Sequence, residues 1–133
     1  MHTGSCLCGG VRFTVEDELQ PIQLCYCAEC RKAQGGPVAS NIPVDAGAFR
    51  LLSGADLLRE FESSPGKQRV FCSRCGSPVF SRLTSRPEVL RIRAGLLEQP
   101  LPVRPSRHAF VADKANWWTI PEDGLPRFPQ RPA

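Results

Sequence analysis

The chain is poor in the features that would place it in a membrane or on a nucleic acid. Its apolar runs are short, Val89-Leu90 and Gly95-Leu96-Leu97 being cut by Arg91, Arg93 and Glu98, far below the ~20 residues of a membrane-spanning helix. Basic residues do not cluster beyond Arg31-Lys32, so the electrostatic footprint of a nucleic-acid binder is weak. The opening Met1-His2-Thr3-Gly4-Ser5 has no apolar stretch resembling a signal peptide, and a reducing, cytoplasmic setting is expected. No internal repeat is present. With 133 residues, the chain is expected to form a single domain over 1–133 with a core that does not depend wholly on bound metal.

What the chain does have is cysteine. Seven cysteines fall into three tight groups: Cys6-Leu7-Cys8, Cys25-Tyr26-Cys27-Ala28-Glu29-Cys30 and Cys72-Ser73-Arg74-Cys75. A disulfide framework is the usual explanation for a cysteine-rich small secreted protein. Here the odd number and the Cys-x-Cys and Cys-x-x-Cys spacings argue instead for thiolates held by metal. A structural zinc takes four protein ligands, whereas a catalytic zinc takes three and keeps one position open. Seven thiols supply one site of each kind. The formal charge of +4 then falls to about +1 once seven thiolates and two Zn²⁺ are included.

The segments between the cysteines read as short strands separated by turns, an all-β pattern. Val11, Phe13 and Val15 alternate with Arg12, Thr14 and Glu16, the period of a half-buried strand. Further strands are expected over 38–44, 68–71, 79–83 and 89–94, parted by Gly35-Gly36-Pro37, Ser53-Gly54, Ser64-Pro65-Gly66 and Ser85-Arg86-Pro87. Short helical turns are expected over 27–33 and near 45–49, the second with Asp45 as N-cap. Seven of the thirteen prolines lie at or after Pro100, which bars long helices and central strands there. An extended tail is expected to wrap the sheet, anchored by Trp117, Trp118, Leu125 and Phe128, with 124–133 loose and 129–133 frayed.

Cys72-Ser73-Arg74-Cys75-Gly76 has the form of a zinc knuckle, in which glycine tolerates the positive φ of the turn. Cys6 and Cys8, an extended i, i+2 pair, project to one face and complete a closed four-cysteine site whose expected role is structural. Cys25, Cys27 and Cys30 are close enough to bind one metal from a single loop. No cysteine remains to close that site. His2, His108 or Glu29 would close it if it were inert, or a ligand would be borrowed from the first pair; the preferred reading is an open zinc. Three thiolates make a zinc poor at activating water and suited to an exogenous thiol, whose pKa the metal lowers. Arg31 and Lys32, just past the cluster, are placed to hold carboxylates of an anionic thiol such as glutathione, or are a solvated basic pair. His108 alone reads as an ordinary packing or surface histidine, and Trp117-Trp118 as core anchors or a pocket wall.

The ordered set resembles the glutathione-dependent formaldehyde-activating enzyme family. It comprises Cys6-Leu7-Cys8-Gly9, Cys25-Tyr26-Cys27-Ala28-Glu29-Cys30-Arg31-Lys32 with Gly35-Gly36, Gly54 with Phe61, Phe71-Cys72-Ser73-Arg74-Cys75-Gly76, and His108, Phe110, Trp117 and Leu125-Pro126-Arg127-Phe128. The resemblance implies a small zinc-stabilised, β-tent-like all-β fold. It implies a structural zinc on Cys6, Cys8, Cys72 and Cys75 and a catalytic zinc on Cys25, Cys27 and Cys30. The implied reaction is of the carbon-sulfur lyase class, the reversible joining of glutathione and formaldehyde as S-hydroxymethylglutathione. Partners are then a small thiol and an aldehyde, not nucleic acid or membrane. Tyr26 stands where many members carry histidine, at a position that is not a ligand. A zinc-stabilised binding module and a thiol-based metal- or redox-handling protein are the rival readings.

Overall fold

A computed structural model describes residues 1–132. It contains ten strands, one short α-helix and four 3₁₀ turns. In chain order the elements are β1 (His2–Ser5), β2 (Arg12–Val15), β3 (Ile22–Cys25), α1 (Ala28–Gln34), β4 (Ala39–Asp45), β5 (Phe49–Ser53), β6 (Leu58–Ser64), β7 (Lys67–Cys72), β8 (Pro78–Leu83), β9 (Arg86–Arg93) and β10 (Pro105–Ala109). The all-β reading holds. No helix among the described residues is long and apolar enough to cross a membrane.

Two sheets form. The smaller runs β1-β2-β5, the larger β10-β3-β4-β9-β8-β7-β6. All pairs are antiparallel except β10 with β3. Paired residues share a face, so the register shows which side of the large sheet is apolar. Ile42, Ile92, Phe80 and Val70 stand opposite one another across β4, β9, β8 and β7, with Val44 against Leu90. The alternating residues of β2, Phe13 and Val15, meet this face in one core cluster. Phe49 of β5 joins the two sheets, stacked on Phe13 at 5.1 Å and edge-on to Phe80 at 5.5 Å between ring centroids.

The predicted helix over 27–33 is α1, shifted by one residue, with Cys27 as its N-cap. Asp45 caps the 3₁₀ turn Ala46–Ala48, its carboxylate accepting from Gly47 N at 3.0 Å. The tail differs from expectation in three ways. It contributes a strand, β10, which sits at the sheet edge where proline is tolerated. Its apolar anchors are Ala115 and Ile120, while Trp117 and Trp118 are exposed, stacked edge-to-face on each other in place of the core. Residues 126–130 are tied down: His108 N donates to Pro126 O, Phe128 N to His108 O, and the Phe110, Val111 and Ala112 amides to Gln130, Phe128 and Pro129 carbonyls. Those bonds satisfy strand-edge amides that a loose tail would leave to water. The end of the expected frayed segment, residue 133, lies outside the described residues.

Candidate metal centres

Cys6, Cys8, Cys72 and Cys75 converge with all ligand sulfurs within 4.8 Å of one another. Cys6 and Cys8 leave the end of β1 on a turn, and Cys72 ends β7. The Cys6–Cys8 and Cys8–Cys72 sulfur separations are 3.5 and 3.9 Å. They bracket the roughly 3.8 Å edge of a tetrahedron with ~2.3 Å zinc–sulfur bonds, and lie far beyond the ~2.05 Å of a disulfide. All seven cysteines are free thiols. Backbone and side-chain donors already point at these sulfurs: Val11 N at 3.3 Å from Cys6 and Arg74 Nε at 3.2 Å from Cys8. The Cys8 thiol is held below its ordinary range by the Gly10 amide and by Arg74. Cys75 is pushed down to about 5 by the Ser77 hydroxyl and amide. A four-thiolate donor set of this spacing fits zinc.

The second cluster is built from a strand end and a helix start. Cys25 closes β3, Cys27 caps α1 and accepts from Cys30 N at 3.3 Å, and Cys30 lies buried in the first turn. The three sulfurs lie within 4.8 Å of one another. Among the described residues no histidine or carboxylate joins them. His108 is committed elsewhere, its Nδ1 at 2.9 Å from the Tyr26 hydroxyl and its Nε2 at 2.9 Å from Asp123. His2 is on β1, in the other sheet. Glu29 turns to Arg69, 3.8 Å away. Among the described residues, neither His2, His108 nor Glu29, nor a cysteine of the first pair, joins the three-sulfur group.

Without metal the three thiols share protons unequally. Hydrogen bonds from the Cys25 and Cys27 thiols, then Arg69, push the Cys30 thiol well below its ordinary range. Cys25 is raised, because its thiol is the donor to Cys27 and Cys30. Both clusters thus have the donor type and spacing to hold a metal ion.

Arg69 is a functional candidate that motif reading missed. Its Nη2 lies 3.9 Å from Cys30 Sγ and its Nε donates to Ser63 Oγ at 2.9 Å. Arg93 is also buried on this side, donating to Gln34 Oε1 of α1 at 2.9 Å and to Ser81 Oγ at 3.3 Å. The signal was in the alternation: Arg69 precedes core-facing Val70, and Arg91 and Arg93 flank core-facing Ile92, so these arginines occupy the opposite face. Of the two basic residues singled out by motif, Lys32 is exposed and Arg31 half-buried with an unbonded Nε. A cavity of about 460 Å³ lies between Ile22, Leu24, Ala94 and the 99–105 segment, and no cysteine and neither tryptophan lines it.

The family model described as glutathione-dependent formaldehyde-activating enzyme matches residues 1–113. A Halomonas elongata protein, named provisionally for glutathione-dependent formaldehyde activation, is 37% identical over 126 residues, covering 88% of this chain and 79% of its own length. The crystal structure of a Rhodobacter sphaeroides protein superposes with a TM-score of 0.63 at 25% identity, over 77% of this chain and 97% of that one. The chain belongs to the glutathione-dependent formaldehyde-activating enzyme family.

Proposed function

We propose that the protein is a zinc-dependent carbon-sulfur lyase that joins glutathione, or a similar thiol, reversibly to formaldehyde or a related aldehyde. The observation that carries this reading is the contrast between the two clusters: four thiols close one, while three thiols with no further protein ligand among the described residues leave the other open. Zinc held by Cys6, Cys8, Cys72 and Cys75 is assigned to structure, and zinc held by Cys25, Cys27 and Cys30 to chemistry. When bound there, zinc supplies an open position that stabilises a substrate sulfur as thiolate.

The chain's own residues do the rest. Cys27 accepts the Cys30 amide and so fixes the loop that presents three sulfurs to one point. Arg69, with its Nη2 3.9 Å from Cys30 Sγ, sets a positive charge against the cluster. In the forward direction the thiol gives up its S–H proton and a C–S bond forms to the aldehyde carbon. The carbonyl π pair moves to oxygen, which takes up a proton; the lyase direction is the reverse.

Native mass spectrometry of the purified protein, with and without glutathione, tests the reading. Two zinc ions per chain and a glutathione adduct that is lost in Cys27→Ala are the expected result. One firmly held zinc and no thiol adduct would refute the open site and favour a zinc-stabilised binding module.

A further inference from the structure

Charges buried in proteins are normally paired, because an isolated ion out of water is costly. The face of the large sheet beneath the Cys25–Cys30 loop departs from that rule. One register row across β10, β3, β4 and β9 carries Arg107, Gln23, Asn41 and Arg93. The next row carries Arg91, Ser81 and Arg69. Lys67 stands on the same side at the start of β7, half-buried and two residues before Arg69.

Among the described residues these cations are short of carboxylate partners. Arg93 is 4% and Arg69 8% exposed. Arg93 donates only to neutral acceptors, the Gln34 amide, the Ser81 hydroxyl and the Arg91 carbonyl. Arg69 has one carboxylate neighbour, the half-exposed Glu29 at 3.8 Å, and its Nη1 is buried with no partner. Among the described residues, Lys67, Arg91, Arg93 and Arg107 are within 4.0 Å of no carboxylate. The side-chain oxygen of Asn41, in the Arg93 row, is also buried and unbonded.

The two clusters make the imbalance plain. Four thiolates around a divalent ion carry about −2 and three carry about −1. The four-thiol cluster has the single guanidinium of Arg74 against it. The three-thiol cluster, with less negative charge, has Arg69 against Cys30, Arg93 bonded to Gln34 of the helix that carries Cys30, and Lys67 two residues before Arg69 on the same face of β7. A thiolate in the open position would account for one missing negative charge. The remaining positive charge, and the free Nη1 of Arg69, call for another.

We infer that this face is an anion subsite that selects thiols bearing a carboxylate, with Arg69 and Lys67 as its receiving groups and Arg91 and Arg107 extending it. The inference rests on the reading of Cys25, Cys27 and Cys30 as an open thiol-binding metal site. One charge-assisted pair at a desolvated site strengthens binding by roughly tenfold or more.

The test is a titration of cobalt(II)-loaded protein with 2-mercaptoethanol, 3-mercaptopropionate and mercaptosuccinate, followed by thiolate-to-cobalt absorption. Affinity should rise about tenfold with the first carboxylate, and the preference should shrink as salt is raised. Lys67→Met and Arg69→Gln should each reduce the mercaptopropionate-to-mercaptoethanol affinity ratio at least about fivefold. Should Arg69→Gln fail to fold, Lys67→Met and the wild-type series decide alone. Equal affinity for neutral and carboxylated thiols, or a ratio unchanged in Lys67→Met and in folded Arg69→Gln, overturns the subsite while leaving the open metal site intact. No new band with any thiol overturns both.

Discussion

The Tyr26 hydroxyl lies 2.9 Å from His108 Nδ1, and both side chains are buried. The opposite ring nitrogen lies 2.9 Å from Asp123 Oδ2. An ionised Asp123 accepts from Nε2–H, while the Tyr26 hydroxyl partners the other ring nitrogen. Tyr26 sits between two cysteines of the three-thiol cluster, so the network latches the C-terminal segment to the loop that holds the sulfurs. Tyr26→Phe keeps the ring but strips His108 Nδ1 of its partner. The expected loss is about 1–3 kcal/mol of stability, the usual range for orphaning a buried polar group. Calorimetric melting of the two proteins measures it, and equal melting temperatures would dismiss the latch.

Asp123 gives the latch an acid limit. The Leu125 amide, then the His108 hydrogen bond and charge, hold its carboxyl below the ordinary range. A carboxyl depressed in the folded state adds stability that is fully present above its unfolded value, near 4. That stability drains away as pH falls through the lower folded value. The melting-temperature difference between wild type and Asp123→Asn should therefore be largest above about pH 5 and narrow steadily below pH 4. A gap that stays constant from pH 6 to pH 3 contradicts the assignment.

How much of this was legible beforehand follows from the range of each interaction. Cysteine spacing is local, so both clusters could be read from three short motifs. Val11, Phe13 and Val15 revealed β2 because one face of it is fully buried. β6, Leu58–Ser64, went unread because it is a sheet edge with little burial on either face and so lacks an alternating pattern. β10 was hidden by Pro105 and by a parallel partner some eighty residues earlier in the chain. Arg69 meets Cys30, and Arg93 meets Gln34 of α1, only through the strand order β3-β4-β9-β8-β7, which no local window contains. The two tryptophans misled because size suggested burial, whereas the turn they occupy leaves them in solvent.

Gly54 supports the four-thiol cluster from a distance. Its φ is +89°, and a Cβ there would fall 2.5 Å from Gly10 O and 2.8 Å from Val11 Cα, both backbone atoms. Those residues lie in the turn just past Cys8 and Gly9, and the Val11 amide donates to Cys6 Sγ. Gly54→Ala must therefore move the metal loop or strain its own backbone, at a cost of about 1–3 kcal/mol. The variant should release one zinc to a chelator faster than wild type, with the second zinc little affected. A spectrophotometric chelator assay resolves the two phases; unchanged release kinetics would show that the loop absorbs the extra methyl.

The two clusters should also differ in what their loss does to the fold. Cys72 is fully buried within the core and joins the end of β7 to the loop after β1. Metal binding at such a site contributes directly to folding, on the order of 10 kcal/mol in small zinc modules. That exceeds the whole stability of many domains of this size. Cys72→Ala should accordingly abolish cooperative unfolding. Cys27 instead caps a helix of seven residues, and losing an N-cap costs about 1 kcal/mol. Cys27→Ala should keep a native far-ultraviolet circular dichroism spectrum and a sharp melt while binding one zinc fewer. If Cys27→Ala unfolds as completely as Cys72→Ala, the second cluster is a structural element like the first and the assignment of chemistry to it fails.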